Sequence, residues 1–156
     1  MTDYYLDASA LVKRYAPETG SNWVVGITDP MAGNTIILSE ITLAEVAAAL
    51  SAKQRAPQGL TLEERDRALG RFLQDCGESF VLLQVDRQVI DQAVELTQAH
   101  RLRGYDAVQL ATALLANGDL VEQGHPPLVF VASDDDLLAA ARAVGLLVDN
   151  PLNHPP

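Results

Sequence analysis

Four carboxylates stand in segments that offer them no positive partner. Asp7 closes the apolar run Tyr4-Tyr5-Leu6 and is followed by Ala8. Glu45 is the only charged residue between Glu40 and Lys53, inside Ile41-Thr42-Leu43-Ala44-Glu45-Val46-Ala47-Ala48-Ala49-Leu50. Asp106 precedes Ala107-Val108-Gln109-Leu110-Ala111, and Asp134 follows Leu128-Val129-Phe130-Val131-Ala132 and Ser133. A carboxylate in apolar surroundings is costly unless something positive compensates it. No Lys or Arg lies inside these four segments. A bound hard cation meets the need, because Mg2+ and Mn2+ take oxygen ligands. Each acid also has a plainer explanation. Asp7, Asp106 and Asp134 suit a helix N-terminus, and Glu45 could face solvent. All four being so explained at once fits less well than any one. Ser133, with Asp136 three residues on, resembles a helix cap, which gives Asp135 and Asp136 a structural reading.

Other chemistries find little support. His100, His125 and His154 have no zinc-site spacing, and Cys76 has no second cysteine beside it. Cys76 reads as a small buried apolar side chain in a reducing compartment. Ser9, Ser39 and Ser133 lack a histidine relay. No Gly-rich loop carries the Lys-Ser/Thr of a phosphate cradle. Trp23 reads as core.

With 156 residues, 48% hydrophobic and 21% charged, the chain has the composition of one globular domain. Eleven basic residues against 21 acidic ones give a net charge of −10. That excludes a general nucleic-acid coat or a binder of anionic membranes, both of which need a basic surface. A nuclease with a local basic patch stays open. The N-terminus has no basic n-region, and no stretch of about 18 uncharged apolar residues occurs. The expectation is a cytoplasmic protein with no membrane contact.

The elements that must position the acids follow from periodicity and breakers. Strands are expected at Tyr4–Asp7, Thr35–Leu38, Phe80–Val85, Leu128–Ala132 and Leu146–Asp149. Helices are expected at 9–15, 20–28, 41–55, 61–75, 86–100, 105–117 and 134–143. Thr61 and Glu64 form a capping box, and Gly145 closes the last helix. Gly118 to Pro127 reads as a polar connection. The domain spans 1–150, and the Pro-rich end, 151–156, reads as a surface tail. Apolar strands alternating with helices predict an α/β fold, a three-layer α/β/α sandwich with a mostly parallel central sheet. Ligands of such sheets bind at the carboxyl ends of the strands. Asp7 and Asp134 both lie at such ends, so convergence with Asp106 and Glu45 is expected on topology.

The residues also carry a family resemblance. Leu6-Asp7-Ala8-Ser9-Ala10-Leu11-Val12-Lys13-Arg14-Tyr15 resembles the opening of PIN-domain proteins, especially VapC-type toxins. Ser39-Glu40-Ile41-Thr42-Leu43-Ala44-Glu45-Val46 resembles their second acidic station. The stretch from Leu102 to Ala113 around Asp106 resembles the third. Phe130-Val131-Ala132-Ser133-Asp134, with the following helix and Gly145-Leu146, resembles the fourth. The resemblance covers nearly the whole chain, and four stations in order are far more specific than any one.

It implies a PIN-like fold and a metal-dependent ribonuclease using Mg2+ or Mn2+. Asp7, Glu45, Asp106 and Asp134 carry over as the acidic cluster. Asp7 and Asp106 are expected as direct ligands, Asp134 as a ligand directly or through water, and Glu45 as the residue that positions or deprotonates the attacking water. Ser9 would help hold Asp7 or a water. Asp134 matches the fourth station best, with Asp136 in reserve. Lys13, Arg14, Arg101 and Arg103 are the expected basic patch for RNA. The implied protein partners are a second copy of the chain, in a homodimer, and a small antitoxin docking on the helical region from Gly20 to Arg71. Two other readings stay open. A haloacid-dehalogenase-type phosphatase also puts an Asp after strand one, but Ser9 stands where its second Asp belongs. A non-catalytic PIN module binding RNA or protein would not need intact acidic stations.

Overall fold

Five parallel strands form one sheet in the order β3-β2-β1-β4-β5 in the computed structural model, which describes residues 1–156. They are β1 (Asp3–Leu6), β2 (Thr35–Ser39), β3 (Val81–Leu83), β4 (Val129–Val131) and β5 (Leu147–Asp149). The helices are α1 (Ala8–Leu11), α2 (Ser21–Thr28), α3 (Ile41–Arg55), α4 (Leu62–Glu78), α5 (Arg87–Ala99), α6 (Gly104–Glu122) and α7 (Asp135–Ala143).

The two-residue period of a strand sorts the side chains between two cores. Tyr5, Ile37 and Phe130 pack with α5, α6 and α7 on one face. Leu6, Ile36, Leu38 and Val131 pack with α1 to α4 on the other. The two clusters hold 18 and 17 buried residues, so the sheet is covered equally on both sides and the strands need no polar face. The three-layer α/β/α sandwich expected from sequence is the observed architecture. Thr61 caps α4 in the expected capping box, its hydroxyl accepting from Glu64 N–H while the Glu64 carboxylate accepts from Thr61 N–H.

Two local expectations are corrected. Helix α6 does not stop at Asn117 but runs through Gly118 to Glu122. A mid-helix glycine costs only about 1 kcal/mol, and Leu120 beyond it packs against the core. Gly124, just past the C-cap Gln123, turns the chain away with a φ of +83°. The cap of α7 is Asp134, not Ser133: its Oδ1 accepts from Leu137 N–H at 2.8 Å. The Pro-rich end, expected as a surface tail, lies at the surface and is held there. Pro151 is buried in a 3-10 turn, and the His154 ring stacks on Trp23 with centroids 4.2 Å apart while Nε2 meets Asp149 Oδ1 at 2.8 Å. Trp23 is thus half-buried beneath the chain end, with Tyr4 edge-on to it.

Gly20 seals this docking. It has a φ of +89°, and a Cβ there would stand 2.5 Å from the Pro151 carbonyl oxygen. Gly33 has a φ of +71° but open space around it. Gly33→Ala should therefore cost roughly 1–2 kcal/mol for the left-handed backbone alone. Gly20→Ala should cost clearly more, and deletion of residues 151–156 should erase the difference in denaturant titrations.

Candidate active site

Strand order reverses beside β1: β2 and β3 lie on one side, β4 and β5 on the other. The crevice between the carboxyl ends of β1 and β4 is where an open parallel sheet binds its ligand. Asp7 follows β1 directly, its N–H donating to Val131 O of β4 at 3.1 Å. Its Oδ1 accepts from Ala10 N–H at 3.0 Å and from the Ser9 hydroxyl at 2.7 Å, so Asp7 also caps α1. Ser9 Oγ in turn accepts from Ser133 N–H at 2.9 Å, which ties the end of β1 to the end of β4 one residue before Asp134.

Asp7, Ser9, Glu45, Arg103, Tyr105, Asp106 and Asp134 line one cleft of about 310 Å³. All four acidic stations thus meet there. An adjoining cleft of about 460 Å³ shares Arg103, Asp106 and Asp134 and adds Thr97, His100, Arg101, Leu102 and Asp136. Asp136 is exposed and faces only this second cleft, away from Asp7 and Glu45.

The electrostatics record burial first and crowding of like charge second. Burial, then the charges of Glu45 and Asp106, pushes Asp7 up to about 7, although the Ser9 and Ala10 hydrogen bonds pull the other way. Burial and the Asp106 charge raise Glu45 against the hydrogen bond from Gln109. Burial and the Asp134 charge raise Asp106, with Arg103 opposing. No three of these side chains converge into a closed metal shell. Like charges without a counter-ion keep apart. The donor set nevertheless suits a hard divalent cation. Every candidate ligand atom is a carboxylate oxygen, and Oδ2 of the 5%-exposed Asp7 receives no hydrogen bond from the protein.

The expected basic patch divides. Arg101 and Arg103 are exposed, unpaired and on the cleft walls. Lys13 and Arg14 are not at the cleft and serve the scaffold. Lys13 is buried and pairs with Glu18 at 2.9 Å. Arg14 pairs with Asp75 at 3.2 Å and donates to Thr28 Oγ1 at 3.0 Å. Desolvation and a bound partner leave neither free to meet a phosphate.

Sequence reasoning missed two residues. Tyr105 lines the acidic cleft with its side chain 65% exposed, and a large aromatic next to a candidate acid was the available signal. Gln109 is buried on α6, and its Nε2 donates to Glu45 Oε1 at 2.8 Å and to Thr42 Oγ1 at 2.9 Å. A glutamine in an apolar helix gave a signal only as a polar residue needing a partner.

The raised Asp7 pKa carries a stability consequence. Between the ordinary value near 3.8 and the folded value of about 7 the folded state holds more protons than the unfolded one, so rising pH works against folding. In metal-free protein, Asp7→Asn should gain stability relative to wild type as pH rises from about 4 to about 7, with no further gain above that. Mn2+ should raise the melting temperature of the wild type at alkaline pH and leave that of Asp7→Asn nearly unchanged, as differential scanning fluorimetry can read.

The chain is similar to known proteins along most of its length. The PIN domain family matches residues 4–143. Ribonuclease VapC45 of Mycobacterium tuberculosis is 34% identical over 144 residues, covering 92% of each chain. A toxin-antitoxin complex from Klebsiella pneumoniae superposes with a TM-score of 0.61 at 19% identity, over 95% of this chain and 97% of that one. Mycobacterium tuberculosis VapC20, described as a Sarcin-Ricin loop cleaving toxin, does so with a TM-score of 0.60 at 16% identity, over 92% and 96%. At those identities the two structures speak for the fold alone. The family match and the sequence relative go further: this chain belongs to the PIN-domain family, among its VapC-type ribonucleases.

Proposed function

We propose that the protein is a divalent-metal-dependent endoribonuclease and the toxin of a toxin–antitoxin pair. One observation carries the reading: Asp7, Glu45, Asp106 and Asp134 line a single cleft whose rim bears the exposed Arg103. Asp7, Asp106 and Asp134 would hold Mg2+ or Mn2+, which when bound lowers the pKa of water and offsets charge on a leaving oxygen. Asp134 suits this role better than Asp136 because only Asp134 reaches the cleft that holds Asp7. Asp134 Oδ1 is engaged in capping α7, which fixes the orientation of the carboxylate.

The chain's own groups supply the rest. Glu45 accepts the proton of the attacking water, and a carboxylate with a raised pKa is a better base near neutral pH. Ser9 anchors Asp7 through its 2.7 Å hydrogen bond and leaves Oδ2 for the site. Arg103 and Arg101 receive backbone phosphates, and the exposed ring of Tyr105 offers a face for a base. The family resemblance implies products with a 5′-phosphate and a 3′-hydroxyl. A phosphatase of the haloacid dehalogenase type is disfavoured, since Ser9 fills the position of its second Asp and is spent on holding the first.

The partners follow the same reading. No helix is long and apolar enough to cross a membrane. The region from Gly20 to Arg71 exposes Val25, Met31 and Leu62, apolar positions suited to an antitoxin segment. A homodimer would extend the RNA groove beyond one cleft.

Cleavage of RNA by purified protein in Mn2+, with mapping of the new ends, tests the activity. Asp7→Asn and Glu45→Gln should each slow cleavage by at least about 100-fold. Full activity in Asp7→Asn would refute the site. Arg103→Glu should weaken RNA binding and reduce the salt slope of log K by about one, whereas Lys13→Gln should leave that slope unchanged.

A further inference from the structure

We propose that Gln109 is the positioning residue of this site, aiming the Glu45 carboxylate into the cleft, with the Tyr5 hydroxyl anchoring the oxygen end of the Gln109 amide. The proposal rests on the ribonuclease reading and names a residue that reading does not use. Gln109 lies on α6 and is 1% exposed, while Glu45 and Thr42 lie on α3 across the sheet. Its amide is the polar link between the two helical layers above the end of β1.

The two ends of a glutamine amide have nearly the same shape, so only partners decide their direction. Tyr5 OH donates to Gln109 Oε1 at 2.7 Å. Both hydrogens of Nε2 are then committed, one to Thr42 Oγ1 at 2.9 Å and one to Glu45 Oε1 at 2.8 Å. A reversed amide would set its oxygen against the Glu45 carboxylate, which only accepts, so the carboxylate decides the direction and the Tyr5 hydroxyl holds the oxygen end in place. Tyr5 itself cannot swing away: it is fully buried, and its ring stacks on Phe130 at 5.6 Å with an interplanar angle of 9°. Glu45 therefore keeps one oxygen pinned by Gln109 and turns the other to the water it must deprotonate. Because Gln109 touches Glu45 and none of the other three acids, its loss should harm the chemical step and spare cation and RNA binding.

A double-mutant cycle on the full-length protein tests this. Gln109→Met should lower kcat by about 10- to 100-fold, with KM for RNA and calorimetric Mn2+ affinity within about threefold of wild type. In a Glu45→Gln background the same change should alter kcat by less than about twofold. In metal-free protein the Gln109 side-chain amide protons should exchange slowly by NMR, and faster in Glu45→Ala. Should Gln109→Met fail to fold, Tyr5→Phe keeps the ring stack and should still lower kcat by about three- to tenfold through a mobile amide.

Wild-type kcat in Gln109→Met, or an equal loss in both backgrounds, overturns the proposal and leaves the ribonuclease reading intact. A wild type that does not cleave RNA, or a Glu45→Gln variant as fast as wild type, overturns both. Fast exchange of the Gln109 amide in wild type also overturns the proposal.

Discussion

Repulsion among the carboxylates at the end of β1 is the constraint around which the molecule is organised. Two unit charges about 4 Å apart interact by roughly 4 kcal/mol at an effective dielectric constant of 20. A domain is stable by only about 5–15 kcal/mol in total. Like charges gathered around one cleft therefore need a strong scaffold and something that offsets them. Protonation offsets part of the cost in Asp7, whose pKa is raised to about 7 by burial and by its neighbours. A divalent cation would offset more, and would do so without silencing the carboxylate. The scaffold that withstands the repulsion is the pair of near-equal cores on either side of the sheet.

Rigid polar links turn that scaffold into a defined site. Ser9 joins the end of β1 to the end of β4 through Asp7 and Ser133 N–H. Asp134 is fixed by capping α7, and Glu45 by the buried Gln109 amide. Each link is a hydrogen bond in low dielectric, where an unmade partner costs about 1–3 kcal/mol. Each therefore resists the local displacement that would relieve repulsion. The acids are kept apart yet aimed at one volume, which is the state a cation-binding pocket needs before its ion arrives.

Local sequence carried much of this plan. Asp7 and Asp134 were legible because each follows a short apolar strand, and topology then puts both at one edge. The layer order was legible because strands without polar faces demand two helical covers. What failed depended on side-chain partners and turn geometry that residue type does not specify. Lys13 and Arg14 read as basic surface, yet Glu18 and Asp75 take them, the latter 61 residues from Arg14. Gln109 gave no functional signal because its partner Tyr5 is 104 residues away. Ser133 and Asp134 are both competent caps by type, and only the turn geometry gives the role to Asp134. The run through Gly118 and the docking of Pro151 were decided by packing that outweighs local preference.

The charge balance connects the cation to the substrate. At a net charge of −10 the chain repels a polyanion at long range, but the Debye length near 8 Å in physiological salt confines that effect. What a phosphate meets at contact is the cleft itself, with four carboxylates set against Arg103 and, next door, Arg101. Two guanidinium groups do not neutralise four carboxylates and an incoming phosphate. On the ribonuclease reading the missing positive charge is that of the divalent ion, and the two ligands must then assist each other. Linkage makes such assistance reciprocal: a cation that tightens RNA binding is itself bound more tightly when RNA is present. An acidic protein can thus act on an acidic polymer without a basic surface, because the charge that attracts the substrate is the charge that relieves the site.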